Sequence, residues 1–286
     1  IVAVGSEEKR QIAVQSFDPT LLGEEFEGFS DKKLCIWNNK VGLSRKELYA
    51  ATDLSSSTNK INSFNENFGR GIKVTALSCN STGFLWLSCN DGVVSLAWLR
   101  KNETQEYERF DFYENMAVSN EIAGDDLIDI LDITDIDLPW SKDENWNAYI
   151  FCGNNPKQNT IERPFSPDQT EKPAWFVNFI YERFYHWPKN IDLILEVGHS
   201  KGKNSKPKFT SVEDKLQELS TSKPDDVKIE NVIDQTSGLE ITYIFDGEYT
   251  GVSASDNAKP TSTVGNVATG PGFAGFTYKG ELYDVQ

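Results

Sequence analysis

The stretch Asn67-Phe68-Gly69-Arg70-Gly71-Ile72-Lys73 decides the reading of this chain, together with Trp37-Asn38-Asn39-Lys40-Val41-Gly42-Leu43 upstream of it. The first reads as a glycine pair opening a helix, with a lysine just inside. The N-terminus of a helix presents unpaired backbone N–H groups and the positive end of its dipole. Phosphate oxygens suit that place. Gly69 and Gly71 let the backbone approach closely, and Lys73 adds a direct charge. Alone, such a G-x-G is more often a plain loop-to-helix turn with a solvated lysine. The second stretch reads as a strand end running into a tight turn. Asn38 stands where a side-chain amide can meet a base edge, and Val41-Gly42 leaves room for a flat ring.

The order of elements joins the two. Leu34 to Trp37 reads as a strand. Ser44-Arg45-Lys46-Glu47 is a capping box, so a helix starts at Ser44 and runs to about Thr52. Ser55-Ser56-Ser57-Thr58-Asn59 opens a polar stretch to Asn67, a mobile segment by composition. Gly71 to Leu77 predicts a further helix. Phe84 to Cys89 and Val93 to Leu99 are strands joined by Asn90-Asp91-Gly92, a strong hairpin turn. Glu106 to Tyr113 predicts a third antiparallel strand, and Asn147 to Cys152 another.

Farther on, Trp175, Phe176, Phe179, Ile180, Phe184 and Trp187 recur at helical spacing, and Pro188 ends the run. The simplest reading of this aromatic stripe is core packing against the sheet. Ile191 to Val197 is a strand. Lys201 to Lys208 is a basic linker with Gly and Pro, the best domain boundary in the chain. Beyond it come a helix over Ser211 to Leu219 and strands over Val227 to Ile233, Glu240 to Phe245, Phe273 to Tyr278 and Glu281 to Val285. Ser253 to Gly272 is a Gly/Ser/Thr/Pro-rich loop. No repeat or heptad pattern is visible.

Composition bounds the function. With 286 residues, 25% charged and rich in aromatics, the chain can bury a real core. The net charge of −16 repels nucleic-acid backbones and anionic membranes over the average surface. No apolar run is long enough to span a membrane. Cys35, Cys79, Cys89 and Cys152 form no C-x-x-C pair, and the chain has only two histidines, so a zinc site is not expected. The four cysteines read as buried free thiols of a reducing compartment, which places the protein in the cytoplasm. His186 and His199 have no triad partners, and the default for each is a structural or surface role. Asp126, Asp129, Asp132, Asp135 and Asp137 lack the spacing of a calcium loop and read as a solvated face. Gly198 to Asn204 has the wrong spacing for a P-loop.

From about Ile12 to Val197, the strand, turn, capped helix, polar loop, G-x-G helix and hairpin resemble the GHKL ATPase superfamily. That group includes DNA gyrase B, the heat-shock chaperone of this fold, MutL, MORC proteins and histidine kinases. Asn67 to Lys73 is closest to the glycine segment of the chaperone and MORC branches. The resemblance implies a Bergerat-type fold, an α/β two-layer sandwich of helices on a mixed, mostly antiparallel sheet. It implies binding of ATP with Mg2+ at Asn38, Gly42, Ser56, Ser57, Phe68, Gly69, Arg70, Gly71, Ile72 and Lys73, with Ala51 to Asn67 as a lid. In the family the turn is Asp-x-Gly-x-Gly. Here Asn38 and Lys40 replace the Asp and first Gly, and Gly42 keeps the last. Trp146-Asn147-Ala148 lacks the Thr of the family's late strand.

No Glu in the chain is followed by Asn four positions later, so the family's N-box, with its water-activating Glu and magnesium-holding Asn, is absent. The chain begins at Ile1 without Met and is expected to be cut at both ends, with the N-box upstream. Catalytic residues are therefore unknown. The expected organisation is a GHKL-like ATP-binding domain over 1–199 and a partial, transducer-like domain over 200–286. Expected function is ATP binding with slow Mg-dependent hydrolysis coupled to lid closure and homodimerisation. The alternative is a non-catalytic GHKL-like scaffold that binds a partner or a nucleotide without turnover.

Overall fold

The computed structural model describes residues 10–53, 76–112, 129–173, 175–198, 209–222, 224–225, 227–238, 240–246, 275–278 and 281–284. The chain divides into two compact units that interleave in sequence. One comprises Ile1–Pro173 and Asp192–Pro207, the other Ala174–Ile191 and Lys208–Gln286.

The first unit is built on an eight-stranded sheet. Its strands are β1 (Arg10–Phe17), β2 (Lys33–Asn39), β3 (Phe84–Asn90), β4 (Val93–Lys101), β5 (Tyr107–Arg109), β6 (Ile130–Asp132), β7 (Trp146–Phe151) and β8 (Ile191–Leu195). They lie in the order β5-β4-β3-β7-β2-β1-β8, with β6 also on β4. The pairs from β5 through β1, and β6 on β4, are antiparallel. A mostly antiparallel sheet carrying a few helices is the architecture the sequence predicts.

The central strands are apolar at nearly every position because both faces of the sheet are covered. On one face Leu85, Leu87, Cys89, Leu96, Trp98, Ala148 and Ile150 pack with Phe17, Leu22, Phe26, Leu138 and Trp140. On the other, Phe84, Trp86, Ala97 and Leu99 meet Leu48 of α1 (Arg45–Thr52) and Ala76 and Leu77. The capping box at the start of α1 is formed: Ser44 N donates to Glu47 Oε2 at 2.9 Å, and Ser44 Oγ accepts from Glu47 N at 3.4 Å. At the β3–β4 hairpin Asp91 and Gly92 have φ of +50° and +84°, which matches the right-handed strand twist.

Two differences from the sequence reading have physical causes. β5 stops at Arg109 instead of Tyr113, because Phe110 and Phe112 turn into the core. β1 is a strand the reading did not mark; its polar residues interrupt the apolar pattern, and pairing with β2 supplies what periodicity did not. Of the helix expected over Gly71 to Leu77, only residues from 76 lie in the described set.

The second unit contains α2 (Trp175–Arg183), α3 (Val212–Ser222) and two antiparallel hairpins, β9 (Val227–Ile233) with β10 (Glu240–Asp246) and β11 (Gly275–Tyr278) with β12 (Glu281–Asp284). Helix α2 ends at Arg183, short of Trp187. Ile180 is buried but Phe179 is 54% exposed, so the aromatic stripe is core only in part. His186 Nδ1 lies 2.7 Å from Glu213 Oε2. Phe184 and Phe209 each pack edge-on against Trp187.

Lys33 is fully buried at the start of β2. Its Nζ donates to the carbonyls of Cys152, Pro156 and Gln158 at 2.7, 2.8 and 2.7 Å. Three donors meet three acceptors, which closes the loop after β7 onto β2. Burial pulls the ammonium down to about 8, with the neighbouring Cys152 opposing the shift, so Lys33 is still charged at neutral pH. Lys33→Met leaves those carbonyls unpaired and is expected to destabilise the protein by roughly 2–4 kcal/mol in urea unfolding. Because the folded-state pKa lies below the ordinary 10.5, the folded protein holds fewer protons between about pH 8 and 10.5. Lys33 therefore adds stability as pH rises through that window, and the gap between wild type and variant should widen there.

Cys35, Cys89 and Cys152 are buried and Cys79 is partly exposed, all as free thiols. Burial raises the first three, Cys152 to about 12. A thiol reagent should modify Cys79 quickly in the native protein and the other three only on unfolding.

Candidate functional site

The turn after β2 is suspended from the neighbouring strands by polar side chains in an otherwise apolar sheet. Register places Ser95 of β4 opposite Ser88 of β3, Ser88 opposite Asn147 of β7, and Asn147 opposite Asn38 of β2. Side chains alternate across a strand, so these cross-strand partners share the helix-bearing face. Ser95, Ser88 and Asn147 are buried and Asn38 is half-buried.

Asn147 and Ser88 in this row have defined partners. Asn147 Oδ1 accepts from Trp86 Nε1 at 3.0 Å, and its Nδ2 donates to the Val41 carbonyl at 2.7 Å. Ser88 Oγ accepts from Leu43 N at 2.6 Å. Lys40 N donates to the Asn145 carbonyl at 2.7 Å. Burial pushes the Tyr149 phenol up to about 12, with Asn38 opposing the shift. The Tyr149 ring packs on Trp86 with centroids 5.0 Å apart. On its other side β2 is joined to β1 by Gln11 N donating to Asn39 Oδ1 at 2.8 Å.

Gly42 sits where no larger residue fits. A Cβ there would fall 1.8 Å from the Cys89 carbonyl oxygen. Lys40 adopts φ +71°, a left-handed conformation that costs a non-glycine residue energy. The turn is thus both strained and tightly packed. Arg45, the first residue of α1, donates through Nε to the Ile130 carbonyl at 3.1 Å, which ties the helix start to β6.

Of the residues singled out in the sequence, Asn38 and Gly42 stand together on this turn. Ser56, Ser57, Phe68, Gly69, Arg70, Gly71, Ile72 and Lys73 lie outside the described residues. Ser88, Asn147 and Tyr149 escaped the sequence reading as site residues. Their signal was a polar group inside a run that is otherwise apolar, Ser88 in Phe84–Asn90 and Asn147 in Trp146–Phe151. Among the described residues no group of three or more His, Cys, Asp or Glu is placed to hold a metal ion, and no helix is long and apolar enough to cross a membrane.

No protein-family model and no curated protein sequence matches the chain. Among solved structures it is similar to the B-subunit of the DNA gyrase from Myxococcus xanthus, with 8% identity and a TM-score of 0.37. The match covers 82% of this chain and 55% of that one, so the chain spans about half the length of the gyrase subunit. A likeness this distant assigns neither site nor activity.

Gly42→Ala should destabilise the protein by about 1–3 kcal/mol, because the added methyl group meets backbone and not a flexible side chain. Val41→Ala, on the exposed side of the same turn, should change the urea midpoint little.

Proposed function

We propose that the first unit binds a purine nucleotide, ATP with Mg2+, at the turn Asn38–Gly42, and that lid closure is coupled to slow hydrolysis. The observation that carries this reading is the turn itself. A half-buried amide stands at a strand end, next to a glycine packed against backbone, above a row of uncharged polar side chains. Such a surface offers hydrogen bonds to a base edge with little conformational entropy to lose. On the sequence reading, Gly69, Gly71 and Lys73 would supply the phosphate side of the proposal. Ser56 and Ser57 would reach the phosphates from the lid.

The described residues fit a base better than they fit a metal. Mg2+ would therefore be held by the phosphates and by groups outside the described set. The chain from about Ser200 would pass the nucleotide state onward, and dimerisation and a cytoplasmic location complete the proposal.

One feature favours the second reading, a scaffold that binds without turnover. Lys40 holds a left-handed conformation at a position where the resembling ATPases have glycine. Calorimetry separates the readings from each other and from failure. Titration with ATP and with ADP, with Mg2+ present, should give saturable binding, and Lys73→Ala should weaken it at least about tenfold through loss of a phosphate contact. Phosphate release over hours supports the ATPase; binding without release supports the scaffold. If neither nucleotide binds, the proposal falls.

A further inference from the structure

We infer that the β9–β10 hairpin is a docking face for a basic polypeptide segment of another protein, one that brings aliphatic side chains together with Lys or Arg. The hairpin belongs to the second unit, and the inference is independent of the nucleotide reading.

Register fixes which side chains share a face. Lys228 pairs with Phe245, Glu230 with Tyr243 and Val232 with Ile241, so these lie on one side of the hairpin. Ile229 and Ile244, opposite each other, lie on the other side and are half-buried. On the first side Val232, Tyr243 and Phe245 are 49, 55 and 61% exposed. An antiparallel hairpin that packs one face inward normally turns polar side chains to water on the other. Here the outward side carries two aromatic rings and a valine. Scattered apolar residues are ordinary on a surface, but a contiguous group marks a place of interaction. Tyr and Phe are enriched at such places. The two strands pair with each other and, among the described residues, with no other strand. A two-stranded sheet has little stability of its own and gains from a partner. Its turn is fixed: Asp234 accepts from the N–H groups of Thr236 and Ser237 at 3.3 and 3.1 Å, and Gly238 N donates to the Asp234 carbonyl at 2.8 Å.

Charge selects the occupant. Glu230 stands on the apolar side itself, Asp225 and Asp234 flank β9, and Glu240 opens β10, all of them exposed. Lys228 is the opposing charge over 225–240. Hydrogen bonds from the Ser237 hydroxyl and from the N–H groups of Thr236 and Ser237 hold the Asp234 carboxyl below the usual carboxylate range, so it stays ionised at neutral pH. A second copy of this chain, with its net charge of −16, would bring like charge to like. Nucleic acid and anionic lipid would do the same. A segment with Lys or Arg between aliphatic residues answers both parts of the surface. Its apolar side chains cover the rings, and its cations meet the carboxylates and the π-faces of Tyr243 and Phe245.

The test is calorimetry on the full chain with a short peptide of alternating Lys and Val, capped at both ends. Wild type should bind it with a Kd on the order of 10–100 μM. Raising the salt from about 0.05 to 0.3 M should weaken binding severalfold. Phe245→Ser and Tyr243→Ser should each weaken it at least about fivefold, and Glu240→Lys at least about threefold. Phe165→Ser, at a 53% exposed position of the first unit, should leave binding unchanged. Circular dichroism verifies that the variants fold. Equal binding by wild type and Phe245→Ser, or an equal loss in Phe165→Ser, means attraction by net charge alone and overturns the inference. Absence of binding overturns it as well. So does a wild-type dimer in sedimentation that Phe245→Ser converts to monomer, because a second copy then covers the face.

Discussion

Everything in the first unit depends on β7 lying between β3 and β2. Six residues, Trp146–Phe151, complete two antiparallel ladders at once. Both partners are distant along the chain: Asn147 bonds Trp86 and Val41 across sequence separations of 61 and 106. Pairings of this range carry a large loop-closure cost before any contact repays it. The return comes from burial on both faces. Trp146, Ala148 and Ile150 enter one core while Phe151 and Tyr149 flank the other.

The two ends of β7 are fastened by different chemistry. At its C-terminal end, the ammonium of Lys33 gathers the carbonyls that follow the strand. At its N-terminal end, Asn147 reaches across to the turn after β2. A polar group inside a sheet is tolerated only when its hydrogen bonds are made, because desolvating it otherwise costs more than it returns. Asn147 meets that condition at both ends of its amide. A turn containing a left-handed Lys40 would otherwise be free to relax. Instead it is held by Asn147, by Ser88 and by the close contact of Gly42 with Cys89.

Rigidity of this kind makes the turn a useful place for recognition. Groups that are already oriented lose little freedom when a ligand arrives. Asn147 shows how such orientation is set. A donor-only indole and an acceptor-only carbonyl define its amide.

Much of the local structure was legible in the residues alone. The capping box at Ser44 and Glu47 predicts the start of α1, and Asn90-Asp91-Gly92 predicts the hairpin between β3 and β4. Both are short-range devices whose energetics close within a few residues. Asn38 and Gly42 were legible as candidates because a strand end followed by a glycine turn has few uses. What the residues by themselves could not determine was anything set by partners far along the chain. The order β3-β7-β2, the shortening of β5 and the polar row of Ser95, Ser88 and Asn147 beside Asn38 arise only when distant strands pair. The sequence by itself determined the strands β2, β3, β4 and β7, the hairpin turn between β3 and β4 and the capped helix α1, since local hydrogen bonding and apolar patterning decide those. Only the tertiary structure decided that Asn147 meets an indole N–H with one end of its amide and a carbonyl with the other, because that depends on which donor and acceptor it reaches across the sheet.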